Sequence, residues 1–291
     1  MDISSRWYKA AGASLIAGAI TARYVARWRR SRSLRRDADQ ERLPTGGRYF
    51  IGLDLTDPYA ERRRPCTVAV LDPELHCQFS LWDYNEQGSG IIPVSALGRA
   101  FLLAIDGPQG LAGQEEAQMR ASERAVHAPG HSTYELPVNG KPYGGFIAGS
   151  VKLFYHLVTS GGRFRLLGLG NVPTHDANLM EVYPGAGWKA LAGLGRLPRK
   201  ATVEGRKTRL ALLQAQGVQF ADSGPFSHDQ LDAAMAAWSG YRFNRGQVSI
   251  EGSAPWLDSE YHVIREGYIV RPTLALGDAD ADRVEAYAPT G

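Results

Sequence analysis

Four aspartates stand where a carboxylate can do chemistry. Asp54 ends the apolar run Tyr49-Phe50-Ile51-Gly52-Leu53, and Asp106 ends Phe101-Leu102-Leu103-Ala104-Ile105. Asp229 and Asp232 lie three apart, so on a helix they project from neighbouring points of one face. If the two runs are parallel neighbouring strands, their ends sit roughly 5 Å apart. Ligands of open α/β sheets bind beyond such carboxyl ends. A helix that carries Asp229 and Asp232 to the same rim gathers carboxylates too close to stay ionised without a counter-charge. Mg2+ or Mn2+ supplies one, because hard cations take oxygen ligands and keep positions for water and phosphate. Two such ions roughly 4 Å apart activate a water and stabilise the leaving oxygen in phosphodiester cleavage. Plainer uses exist for each residue. Asp54, and Asp106 before Gly107-Pro108, suit turns that bond nearby backbone, and Asp229 suits the positive end of a helix dipole. Asp232 lies past the first three helical positions, where that account weakens.

The helix that must deliver the pair has a marked start. Ser227 and Gln230 have capping-box spacing. Leu231, Ala234, Met235 and Trp238 then recur as one apolar stripe. The face beyond Asp232 offers Ala233, Ala236 and Ala237 and no charge, so it is expected to pack closely as well.

Around it the pattern predicts a mixed α/β body. Strands are expected at Tyr49 to Leu55, Cys66 to Leu71 and His76 to Trp82, the last two about an Asp72-Pro73-Glu74 turn. Phe101 to Asp106 reads as a strand buried on both faces of a parallel sheet. Helices are expected at Gln114 to Val126 and Phe146 to Thr159, with a long loop between them bearing Ser132, Tyr134 and Lys141. Leu179 to Tyr183 is a brief strand stopped by Pro184-Gly185, and Tyr268-Ile269-Val270 is a late one. Arg120 and Glu123 share a helix face and read as a surface ion pair worth a few tenths of a kcal/mol.

Charge is distributed unevenly. Residues 1–42 hold ten basic side chains against four acidic ones, whereas the remainder holds 23 basic and 26 acidic. The net +3 therefore belongs to the amino-terminal arm, and the body has no global field that advertises a polyanion. Three segments are expected: a basic extension over 1–47, a folded body over 48–272 and a tail over 273–291. The longest uncharged stretch of the arm, Ala10 to Ala22, is too short to span a bilayer comfortably. Residues 7–36 could lie as a basic amphipathic helix on a membrane or another acidic surface, although a poorly ordered extension explains them as well. The two cysteines, Cys66 and Cys77, form no disulfide framework or zinc motif and suit a reducing, cytoplasmic setting.

Basic residues cluster from Arg196 to Arg209. Arg199, Lys200, Arg206, Lys207 and Arg209 are the strongest backbone-phosphate candidates in the body, with a solvated charged loop as the plainer reading. His228 could orient a water or a phosphate, or simply face solvent at the cap. No glycine spacing fits a dinucleotide or P-loop fingerprint.

Read in order, Gly52-Leu53-Asp54-Leu55-Thr56, Ala104-Ile105-Asp106-Gly107-Pro108, Glu181-Val182-Tyr183-Pro184 and His228-Asp229-Gln230-Leu231-Asp232-Ala233-Ala234 resemble one family. It is the domain-of-unknown-function family four-twenty-nine, described as predicted ribonuclease H-like nucleases, and the resemblance runs from about Arg48 to Pro272. It implies a ribonuclease H-like mixed five-stranded sheet with helices on both faces, antiparallel at first, its first and fourth strands parallel. The Asp229/Asp232 pair resembles the last carboxylates of the resolvase-like branch. By position, the resemblance implies Asp54, Asp106, Asp229 and Asp232 as Mg2+ or Mn2+ ligands, with Glu181 a less certain fifth carboxylate. The expectation is a metal-dependent nuclease using a two-metal-ion mechanism on DNA or RNA. The competing readings are a catalytically inactive nucleic-acid-binding or interaction protein on the same fold, and a phosphotransferase of the actin-like ATPase group.

Overall fold

The computed structural model describes residues 47–137, 143–193, 195–221 and 224–273. The expectations for the arm, for Lys141 and for nearly all of the tail lie outside these residues. Its centre is one sheet of eight strands in the order β6-β3-β2-β1-β4-β5-β8-β7. Strands β1 (Tyr49–Asp54), β2 (Cys66–Leu71) and β3 (His76–Trp82) form an antiparallel meander. Strand β4 (Phe101–Asp106) pairs parallel with β1, and β5 (Leu179–Val182) pairs parallel with β4.

The sheet is wider than the five strands expected. The two-residue β6 (Gln219–Phe220) extends the β3 edge. At the other edge β8 (Val263–Pro272) pairs parallel with β5, and β7 (Val248–Asp258) pairs antiparallel with β8. Only three residues of β8 are legible in the sequence, and none of β7. The reason lies in Gly252 and Pro255, which read as breakers. An outermost strand tolerates them, and the register shifts between Ser253 and Trp256 to absorb them.

Among the described residues five α-helices flank the sheet: α1 (Ala121–Val126), α2 (Gly144–Thr159), α3 (Pro184–Ala192), α4 (Val203–Ala215) and α5 (His228–Asn244). Helix α1 is shorter than the expected Gln114–Val126, because its cap, Arg120, is extended (φ −67°, ψ 156°). The sheet's two faces carry separate cores. Phe50, Leu102, Ala104, Met180 and Val182 pack with Met235 and Trp238 of α5, while Ile51, Leu53, Leu103, Ile105 and Leu179 pack with Leu153 and Phe154 of α2. Burial on both sides is why β1, β2 and β4 read as continuous apolar runs.

Helix α5 starts as its sequence demands. The Ser227 hydroxyl accepts from the Gln230 N–H at 3.1 Å, and the Gln230 side chain accepts from the Ser227 N–H at 2.9 Å. Its uncharged alanine face is wholly buried. At Gly52 the helix backbone comes so close that a Cβ there would lie 2.0 Å from the Ala233 carbonyl oxygen and 2.3 Å from the Ala237 nitrogen. Small residues on both partners therefore set the spacing between α5 and β1. Because the obstacles are backbone atoms, the pair must separate to admit even a methyl. Gly52→Ala is expected to lower the unfolding free energy by about 3 kcal/mol, at the upper end of overpacking costs, in urea denaturation followed by circular dichroism.

Candidate functional site

The parallel pairing of β1 and β4 brings Asp54 directly opposite Asp106 at the carboxyl ends of both strands. Side chains alternate along a strand. Phe50 and Gly52 face α5, so Asp54 does too, and Leu102 and Ala104 place Asp106 on the same side. The first turn and a half of α5 lies over this rim and supplies Asp232, which is 3% exposed. Asp232 is held from two directions. The Trp188 indole donates to its Oδ1 at 2.6 Å, and the Lys200 ammonium donates to its Oδ2 at 2.7 Å.

These charges press on one another. Burial raises the Asp54 carboxyl well above the usual range, and Asp106, Asp232 and Asp229 raise it further against the opposing pull of Lys200. Burial and Asp232 push Asp106 up to about 8, while Lys200 and a hydrogen bond with Asp54 oppose the rise. Burial works against the Lys200 ammonium, but Asp232, Asp54 and Asp106 outweigh it and strengthen its hold on the proton. One lysine thus faces three carboxylates.

Asp229 stands apart. Its Oδ2 meets the Arg64 guanidinium at 3.2 Å and its Oδ1 lies 2.8 Å from the His228 Nδ1. That ring nitrogen is buried without an aligned hydrogen-bond partner. Among the described residues, the group whose ligand atoms all lie within 4.8 Å of one another is Asp72, Glu74 and His76 at the β2–β3 turn. There the Asp72 carboxylate already caps the Glu74 and His76 N–H groups. The rim aspartates do not gather to that closeness.

Glu181 borders the same cavity as the rim aspartates but stands on the other face of the sheet. It follows Met180 and precedes Val182, both on the α5 side, so alternation turns it to the opposite face. There the Arg120 guanidinium donates to both its oxygens, at 2.6 and 2.7 Å, and the Gln109 N–H donates at 2.9 Å. Arg120 also donates to Glu123, to which the Ser132 hydroxyl donates at 2.6 Å. Arg120 is fully buried, so the expected surface ion pair is instead a buried cluster. Burial raises Glu181 despite its guanidinium partner. The cluster ties the segment after β4 to β5 and leaves Glu181 no free oxygen.

The basic segment is divided in use. Lys200 serves the rim as described. The Arg209 guanidinium is buried, donating to the Pro198 and Gly205 carbonyls and lying 5.7 Å from the Trp188 ring centre, so it supports the indole that holds Asp232. Arg206 is half-buried and donates to the Ala201 carbonyl, while Arg199 and Lys207 are exposed. Sequence reasoning missed the facing run Arg62-Arg63-Arg64, exposed on the β1–β2 loop, and missed Trp188. The arginine run is legible as a charge cluster, but its place at the rim comes only from the fold. A cavity of about 800 Å3 lies between the basic groups, lined by Asp54, Asp106 and Asp232 together with Arg64, Arg196 and Lys200.

A family described as "Protein of unknown function (DUF429)" matches residues 62–255, well over half of the chain. The chain belongs to that family. The DUF429 match includes Asp106, Glu181, Lys200, Asp229 and Asp232, and begins after Asp54. No curated protein and no solved structure matches the chain. No described helix is long and apolar enough to cross a membrane.

Two outcomes follow. Removing Arg120 leaves two buried carboxylates without their cation, so Arg120→Met should cost about 3–5 kcal/mol in urea denaturation. The metal-free protein should lose stability as pH rises. Asp54 and Asp106 bind protons more tightly folded than unfolded, so their contribution is full below the ordinary value of 3.8 and is lost as pH rises through about 8. Thermal melts in chelator from pH 5 to 8 should show Tm falling, with a flatter profile for Asp106→Asn; a rising Tm contradicts this account of the rim.

Proposed function

We propose that this protein is a divalent-cation-dependent phosphodiester hydrolase acting on nucleic acid, built on a ribonuclease H-like arrangement. The observation that carries the reading is the register pairing of Asp54 with Asp106 at the ends of two parallel central strands, with Asp232 delivered above them by α5. The strand order β3-β2-β1-β4-β5, antiparallel and then parallel, agrees with that arrangement. The further strands lie outside it at the two edges.

The donor set suits Mg2+ or Mn2+. It consists of carboxylate oxygens whose protons are held unusually tightly, as expected of a site whose negative charge awaits a cation. Asp54 and Asp106 would hold the ion and Asp232 would border it. A bound ion would polarise a phosphoryl oxygen and acidify a water. The chain's own side chains have distinct tasks. Arg64, Arg196 and Lys200 line the cavity and attract a phosphodiester backbone from both sides. Exposed Arg199 and Lys207, with half-buried Arg206, extend that attraction outward. Asp229 holds Arg64 and lies 2.8 Å from the His228 Nδ1, so the imidazole is placed beside the basic side of the cavity.

A second reading has its own support. Asp54, Asp106 and Asp232 do not form a set with all ligand atoms within 4.8 Å of one another, and each oxygen of Asp232 already accepts a hydrogen bond. That suits a nucleic-acid-binding protein that keeps the arrangement without the reaction.

The test is cleavage of labelled DNA and RNA by the full chain in Mn2+, with Asp106→Asn beside it. The hydrolase reading expects cleavage that falls at least about 1,000-fold in the variant, as removal of a metal ligand from a charge-stabilising site does. Equal cleavage by both proteins excludes this site. Bound nucleic acid with no cleavage and no calorimetric Mn2+ signal favours the second reading.

A further inference from the structure

We infer that the rim holds a single divalent ion, and that Lys200 supplies the second positive charge in place of a second ion. The inference rests on the reading above that Asp54 and Asp106 bind a divalent cation. It departs from the two-ion mechanism expected from the sequence.

Geometry comes first. Asp232 would have to bridge or bind a second ion, yet each of its oxygens already accepts a hydrogen bond and the Lys200 ammonium stands where that second cation would. Trp188 takes Oδ1 at 2.6 Å and Lys200 takes Oδ2 at 2.7 Å. Trp188 is itself buried, 2% exposed beneath the Arg209 guanidinium, so packing orients the indole that holds Asp232. The Lys200 side chain differs, being 54% exposed on the turn ahead of α4. It reaches inward to an aspartate that is 4% exposed, and its ammonium also feels Asp54 and Asp106. A half-exposed lysine would gain more rotamer freedom in water, and holding it inward is explained by the charge beneath it.

Charge balance agrees. Asp54, Asp106 and Asp232 carry three negative charges when ionised, and Arg64 is engaged by Asp229. Lys200 cancels one of the three. The two that remain match one divalent ion, bound where Asp54 and Asp106 stand directly opposite each other at the strand ends. An ammonium also differs from an ion in being tethered, donating hydrogen bonds and binding no water to activate. Lys200 would thereby be placed to hold a non-bridging phosphoryl oxygen over the rim, with Asp54 and Asp106 as the residues that would hold the ion. It is a phosphate-positioning residue rather than a ligand.

The measurement is Mn2+ binding to the full chain without nucleic acid, by calorimetry and by electron paramagnetic resonance of the bound ion. The wild type should bind one Mn2+ with no spin coupling, and Lys200→Arg should do the same. Lys200→Ala should take up a second ion, and the spectrum should acquire the exchange-coupled signature of two neighbouring Mn2+ ions. Lys200→Ala leaves the buried Asp232 without its ammonium, so the variant's circular dichroism melt in chelator should fall, and ions are counted below that transition, which separates a changed site from a changed fold. Two coupled ions in the wild type overturn this inference while leaving the hydrolase reading intact. An unchanged single ion in Lys200→Ala overturns it too, because the lysine then excludes nothing. Absence of Mn2+ binding in every protein removes both readings together.

Discussion

The contact between Gly52 and the alanine face of α5 is what the site depends on. A helix normally packs on a sheet with side chains between the two backbones, but here the Ala233 carbonyl and Ala237 nitrogen occupy the space a Cβ would fill. That closeness brings Asp232, one residue before the contact, down to the level of the strand ends. A larger residue at Gly52, Ala233 or Ala237 would raise the helix and separate its carboxylate from the rim. The same packing buries Asp232 and obliges the protein to provide partners for it, since an unpaired buried charge is costly. Trp188, Lys200 and, behind the indole, Arg209 are that provision.

The molecule handles buried negative charge in two ways on the two faces of one sheet. Glu181 and Glu123 share the fully buried Arg120, with hydrogen bonds from Gln109 and Ser132 completing the set. That cluster is saturated, and its geometry is that of a structural tie. At the rim, three carboxylates share one lysine, and burial, with their mutual repulsion added, raises the proton affinity of Asp54 and Asp106. One residue's difference in strand parity assigns Glu181 to the first and Asp106 to the second.

Much of this organisation was legible in the chain. The capping box, the apolar stripe and the chargeless second face of α5 follow from local rules, and so do β1 to β4 as apolar runs between turns. Asp54 and Asp106 could be picked out because each ends such a run. Other readings failed for identifiable reasons. Arg120 and Glu123 look like a surface pair at helical spacing, because nothing local reveals that β5 will press Glu181 against them. Glu181 looked like one more rim carboxylate because its face depends on the register of β5 against β4. Arg209 looked like a phosphate contact, yet its charge is spent on carbonyls and on the support of Trp188. Strand β7 was hidden by a glycine and a proline that only an edge position permits.

The sequence by itself determined the elements and the residue types at their ends, because hydrophobic period, capping and turn chemistry act over a few residues. It also supplied a motif order that placed the chain in its family. Only the tertiary structure decided which acids share a face, which are already paired, and which cation stands among them. Those outcomes depend on strand register, side-chain parity and the approach of segments far apart in the chain, and no local rule encodes them.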